Sequence, residues 1–212
     1  MDATFFNGFN QDLRDPRRWK DYYTLSKQRE GLPVIHIPAI PEIDGEWLFF
    51  EMMRASRQPD PWMLPALKHL KASGRYLMAA LSNTVIFPPD HEYSKSQFGN
   101  DVKSIFDVFV SSAHVGLRKP DPQIYNMALA EVNKFAKESS STRGRDLGWS
   151  EGVQPSEIIF LDDIGENLKA ARNAGFGTIK VNLGKGYDAV AALEQVTGLQ
   201  LAGNHPVPRS KL

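Results

Sequence analysis

The chain has 212 residues, with 25 Lys+Arg against 25 Asp+Glu, 42% hydrophobic residues and no cysteine. That length and composition suit one globular domain with a small appendage. Balanced charge argues against a general nucleic-acid binder or a basic membrane-surface protein, and the lack of Cys excludes disulfide scaffolds, thiol chemistry and Cys-based zinc sites. No apolar stretch approaches membrane-spanning length, and Met1–Phe6 lacks the basic start and long apolar run of a signal peptide, so the chain reads as soluble and intracellular.

Residues 1–59 are rich in aromatics (Phe5, Phe6, Phe9, Trp19, Tyr22, Tyr23, Trp47, Phe49, Phe50), with Pro33, Pro38 and Pro41 interrupting the middle. They predict a small helical subdomain whose aromatics form core. From residue 60 to about 200 the chain alternates helix and strand, the grammar of an α/β fold with a parallel sheet. Asp60 and Pro61 open a helix that carries Met63, Leu64, Leu67 and Leu70 on one face and stops at Gly74. Tyr76–Leu81 is a continuous apolar run ending in Ser82-Asn83-Thr84, and Phe106–Val110 is a second, ending in Ser111-Ser112. Such runs fit strands buried on both faces.

Asp121 and Pro122 open the next helix, with Ile124, Ala128 and Val132 on one face. Lys134–Gly152 is rich in Ser, Gly and charge and reads as a surface insertion. Glu157–Leu161 is the cleanest strand, ending in Asp162-Asp163. A helix from Gly165 to Ala174 stops at Gly175, Thr178–Val181 is a short strand, and a last helix spans about Ala189–Val196. Residues 201–212 read as a flexible tail that ends in Ser210-Lys211-Leu212, a peroxisomal import signal. That ending implies a peroxisomal location and an import receptor as partner. The histidines (His36, His69, His91, His114, His205) show no metal-ligand spacing and read as surface or packing residues.

In an open parallel sheet, ligands bind beyond the carboxyl ends of the strands. Ser82 and Asn83 offer a hydroxyl and an amide able to hold phosphate oxygens. Asp162 and Asp163 offer hard oxygens suited to Mg²⁺. Lys119 supplies a fixed positive charge just before a helix start. A metal, a cation and hydrogen-bond donors around one anion are the parts of a phosphoryl-transfer site. A blander reading keeps Asp162-Asp163 as helix-capping residues and Ser82-Asn83 as turn chemistry.

Leu81-Ser82-Asn83, Arg118–Tyr125 and Ile159–Asn167, in that order and at matching strand ends, resemble the second, third and fourth motifs of the haloacid-dehalogenase (HAD) superfamily. They are closest to the branch containing the N-terminal phosphatase domain of soluble epoxide hydrolase. The resemblance covers about residues 60–184 apart from the insertion. It implies a Rossmann-like α/β core, with residues 1–59 as a remnant of the family's helical cap, and a Mg²⁺-dependent hydrolase of organic phosphates. By family role, Ser82 and Asn83 bind phosphate, and Lys119 steadies the nucleophile and the substrate charge. Asp163 ligates Mg²⁺, supported by Asp162 and Asn167.

The family's first motif, an apolar strand ending in Asp-x-Asp whose first Asp is the nucleophile, has no counterpart in these 212 residues. Lys119 is then the one catalytic residue left. The resemblance further implies a sheet without its central strand, two strand pairs with open inner edges, and a tendency to self-associate. Pro33 and Pro38 disfavour Val34–Ile37 as a substitute strand, which leaves direct pairing of the two halves or a partner chain. Three readings stay open: the motif lies upstream of these residues, the chain is a pseudoenzyme that holds an anion or a partner protein in the peroxisome, or the scaffold serves other chemistry. The expectation for the 212 residues is a phosphatase-type hydrolase fold that does not turn over.

Overall fold

The computed structural model describes residues 10–87, 89, 100–139 and 147–203. Phe5, Phe6, Phe9, His91, His205, residues 140–146 of the expected insertion and the Ser210–Leu212 signal lie outside them. The chain divides into two compact units, with the first boundary between Gln58 and Pro59.

The first unit is helical. Helix α1 (Pro16–Arg29) starts where the Asp15 carboxylate accepts the Arg17 N–H, with Pro16 in the first turn. Asp44 caps α2 (Gly45–Ala55) by accepting from the N–H groups of Glu46 and Trp47. These carboxylates satisfy donors that a helix leaves orphaned. Pro33, Pro38 and Pro41 keep the connection irregular, and the Trp19 indole N–H ties it to α1 by donating to the Pro38 carbonyl at 2.8 Å. The expectation of an aromatic core holds at Phe49, which is buried, and fails at Tyr22 and Trp47, 65% and 60% exposed. For Tyr22 the reason is architectural: α1 buries no residue, so it has no second layer to close against; Trp47 lies on α2 away from the face that buries Phe49.

The second unit carries the α/β grammar. Its elements are α3 (Met63–Ser73), β1 (Ala79–Ser82), the single turn α4 (Asn100–Lys103), β2 (Val108–Ser111), the single turn α5 (Ser112–Val115), α6 (Pro122–Glu138), β3 (Ile159–Asp162), α7 (Gly165–Asn173), β4 (Gly177–Lys180) and α8 (Gly186–Thr197). Gly74 closes α3 at φ 68°, the left-handed conformation that glycine adopts without penalty. Both early strands begin later than their apolar runs. Asp107 explains the offset: its buried carboxylate accepts from Lys71 Nζ at 2.5 Å and from the Met78 N–H at 2.9 Å, so one side chain locks α3 to the entry of both strands. The described ends of two expected surface segments are anchored. Helix α6 runs on to Glu138 with Ala136 buried, and Trp149 is buried beyond it. Leu201, expected to begin the tail, is fully buried, and its N–H donates to Glu194 Oε1. No helix among the described residues is long and apolar enough to cross a membrane.

Strand β1 pairs with β2 and β3 with β4, both in parallel, and no ladder joins the two pairs among the described residues. Helices cover both faces. Leu161 and Ile179 pack against Ala66, Leu70, Val190 and Leu193 of α3 and α8. On the opposite face Leu81, Val110 and Phe160 pack with Ile124, Tyr125 and Ala171 of α6 and α7. The strands themselves are poorly enclosed: Ala79 is exposed, and Ala80, Leu81 and Ile159–Leu161 are only half-buried. Strands in a doubly covered parallel sheet are normally its most buried part. A parallel sheet without its centre, as the sequence implied, is what these features describe.

The hydrogen-bond pattern identifies the open edges. Val108 donates to Met78 O, Gly177 to Ile158 O and Val181 to Asp162 O. Direction alternates along a strand, so residues 80 and 82 point their main-chain groups to β2, and 160 and 162 to β4, while those of 79, 81, 159 and 161 point away. Native-state hydrogen exchange should therefore protect the amides of Ala80, Ser82, Phe160 and Asp162 well above those of Ala79, Leu81, Ile159 and Leu161. Equal protection along either strand would mean that its outer edge is paired.

Candidate phosphoryl-binding site

The carboxyl ends of β1 and β3 are joined by one chain of hydrogen bonds. Asn83, directly after β1, grips the main chain of Lys119 with both ends of its amide: the Lys119 N–H donates to Oδ1 at 2.9 Å, and Nδ2 donates to the Lys119 carbonyl at 3.1 Å. Lys119 Nζ then reaches Asp162, the last residue of β3, donating to Oδ2 at 2.7 Å. The ammonium also lies 5.3 Å from the Phe160 ring centroid, close enough for attraction to its π face. The two side chains are only 10% and 4% exposed, so water scarcely screens the pair.

The other Asp162 oxygen, Oδ1, accepts from the Ile164 N–H at 2.8 Å and from Asn167 Nδ2 at 3.0 Å. Asn167 is buried, and its carbonyl accepts from the Tyr125 hydroxyl at 2.9 Å. A carboxylate with one charged and two neutral donors is held rigidly. Asp162 thus shapes the turn before α7 by bonding the main chain two residues on, part of what the capping reading expected. It also fixes a cation, which capping alone does not require. Asp163 is different: its side chain is exposed at the strand end.

Five of the six residues singled out in the sequence are thereby linked or adjacent: Ser82 ends β1, Asn83 sets Lys119, and Lys119, Asp162 and Asn167 form one network. Asn83 keeps one amide N–H and Lys119 two ammonium N–H donors for a further partner. Asp163 stands beside the network. Sequence reasoning missed Tyr125, whose phenol is fully buried, and a second cluster formed by Thr84, Ser111, Ser112 and His114. Their signal, polar residues closing two adjacent strand ends, was present in Ser82–Thr84 and Ser111-Ser112.

The donor set suits magnesium only loosely. No three acidic or histidine side chains converge among the described residues. Mg²⁺ usually keeps several waters and takes one or two carboxylates plus phosphate oxygens of its ligand. Asp163 fits that role, whereas Asp162 has three donors on its oxygens already.

A family model for haloacid dehalogenase-like hydrolases matches residues 12–175. The chain belongs to that family. It is 32% identical over 151 residues to bifunctional epoxide hydrolase 2 of Mus musculus, a match covering 71% of this chain and 23% of the relative. It is 33% identical over 141 residues to acyl-CoA dehydrogenase family member 10 of Mus musculus, covering 66% of this chain and 11% of the relative. Sesquiterpene phosphatase astK of Aspergillus oryzae is 29% identical over 155 residues, covering 73% of this chain and 61% of the relative. The chain therefore spans about a quarter of the length of the epoxide hydrolases it matches. The HAD-like α/β fold and the epoxide-hydrolase resemblance read from the motifs are both borne out.

Tyr125 gives this HAD domain a pH signature. Burial, reinforced by the negative charge of Asp162, pushes its phenol up to about 12, against roughly 10 in an unfolded chain. A raised folded value means that stability is complete below pH ~10 and is lost as pH climbs towards ~12, by on the order of 2–3 kcal/mol. Denaturant unfolding at stepped pH should show this loss, and Tyr125→Phe should flatten it. An unchanged slope in the variant would show that other groups cause it.

Proposed function

We propose that this HAD-family domain handles a small organic phosphate at the carboxyl ends of β1 and β3, and that the 212 residues bind the anion without turning it over. The observation that carries the reading is the placement of Lys119. Asn83 fixes its main chain and Asp162 its ammonium, so a positive charge with spare donors is held where an open α/β sheet places its ligands. A preset cation costs no reorganisation when an anion arrives. Ser82 and the remaining Asn83 N–H supply neutral donors beside it. Asp163 would hold Mg²⁺ through its carboxylate, with Asp162 and Asn167 keeping the turn in place. The metal, when bound, would offset negative charge on the phosphate oxygens.

What these residues do not supply is an attacking group. Phosphatase chemistry in this family needs a nucleophilic carboxylate at the end of another strand, and no Asp-x-Asp occurs here. Loss of a nucleophile in other covalent enzymes costs ~10⁶-fold in rate, so turnover by the family route is not expected. The alternative role is a pseudoenzyme that binds an anion or a partner, with Ser210-Lys211-Leu212 directing it to the peroxisome. The open sheet edges support self-association as a further property.

The test pairs binding with turnover in the full chain. Inorganic phosphate titrated in the presence of Mg²⁺ should bind, and Lys119→Met should weaken binding by about tenfold or more, the worth of a charge-assisted hydrogen bond. p-Nitrophenyl phosphate should not be hydrolysed above background. Mg²⁺-dependent hydrolysis abolished by Asp163→Ala would overturn the inactive reading. Phosphate binding indifferent to Lys119 would overturn the site.

A further inference from the structure

The polar cluster next to this site is a chain of hydroxyls that ends in an imidazole. Thr84 follows Ser82-Asn83 at the end of β1. Its Oγ1 lies 2.6 Å from Ser111 Oγ and accepts the Ala113 N–H at 3.3 Å. Ser111 Oγ lies 2.7 Å from His114 Nδ1. Main-chain bonds hold the same segments together: the Thr84 N–H donates to Ser112 Oγ at 2.8 Å, and that hydroxyl donates to the Thr84 carbonyl. Ser111 is 8% exposed, whereas His114 is exposed. Thr84, at the end of the relay that follows Asn83, is half-buried, Ser111 in the middle is buried, and His114 at the far end is open to water.

Each hydroxyl has a single proton to donate. With His114 neutral, Nδ1 can accept from Ser111, so Ser111 accepts from Thr84 and the Thr84 proton is committed inside the chain. A charged imidazole must donate at Nδ1. Ser111 then accepts from His114 and gives its own proton to Thr84 Oγ1. The Thr84 proton loses its internal acceptor and must go to another partner. From this we propose that Thr84 is a further donor to an anion at the end of β1, and that His114, acting through Ser111, is the positioning residue that releases it. The proposal rests on the anion-binding reading above.

Few charges compete with this arrangement. Strand β2, on which α5 packs, carries none in Val108–Ser111, and Asp107 before it is held by Lys71 and Met78. The Thr84-Val85-Ile86 segment has none. Arg118 and Lys119 follow α5, and Lys119 is paired with Asp162. The relay is therefore the route by which protonation at His114 reaches the anion, beyond a general increase in positive charge.

Sulfate is the probe, because its charge is constant between pH 5.5 and 8 while phosphate gains a proton there. Calorimetric titration of the full chain should show sulfate binding about tenfold tighter at pH 5.5 than at pH 8, the value of one additional hydrogen bond to a charged group. His114→Gln, exposed and able to bond without titrating, should lose most of that ratio. Thr84→Val should also lose it and bind at pH 5.5 as the unchanged protein does at pH 8. A ratio kept in His114→Gln would overturn the proposal and leave the anion site standing. A ratio lost in His114→Gln but kept in Thr84→Val would overturn it too, since His114 would be acting by charge alone. No sulfate binding at either pH would overturn the anion reading and this proposal together.

Discussion

The Lys119–Asp162 ion pair is the interaction on which this arrangement depends. It spans from the loop held by Asn83 to the end of β3, across a place where no strand ladder joins the two halves among the described residues. A buried pair is expensive to desolvate and contributes only when every remaining lone pair and proton is satisfied. Here the conditions are met on the acid side, since Asp162 accepts three hydrogen bonds. The same geometry that makes the pair structural leaves two ammonium donors for a ligand. On the function proposed above, structure and anion binding would share one cation.

The divided sheet sets the terms for everything around it. Four-residue parallel pairs bury little, and among the described residues the main-chain groups of Ala79, Leu81, Ile159 and Leu161 have no ladder partner. Stability has to come from the helical layers on both faces and from local locks such as Asp107, which joins Lys71 to the start of β1. This explains how the unit keeps an ordered site at the strand ends while its strands remain half-exposed.

Much of this was legible in the sequence. Helix starts were signalled by Asp121-Pro122 and, two residues ahead of the observed start at Met63, by Asp60-Pro61, and strands by the apolar runs before Ser82 and Asp162, because these signals are local. The open centre was legible as well, since a strand ending in Asp-x-Asp is a pattern that can be seen to be missing. Strand boundaries were not, because with a buried Asp107 reaching back to Met78 the strands start three residues into the first run and two into the second. Nor was Asn83's grip on Lys119, a pairing across 36 residues that no periodicity encodes. The exposed Tyr22 of α1 misled for a related reason: burial depends on having an opposing layer, and composition does not report one.

The central claim is energetic coupling between two residues on separate half-sheets, and a double-mutant cycle measures it. Urea unfolding of the full chain, Lys119→Met, Asp162→Asn and the double variant gives the interaction directly. Each single variant should lose about 3 kcal/mol, because it strands a buried partner, and the coupling should reach about 2 kcal/mol. Additive effects, with coupling below about 0.5 kcal/mol, would show that the pair does not hold the halves together.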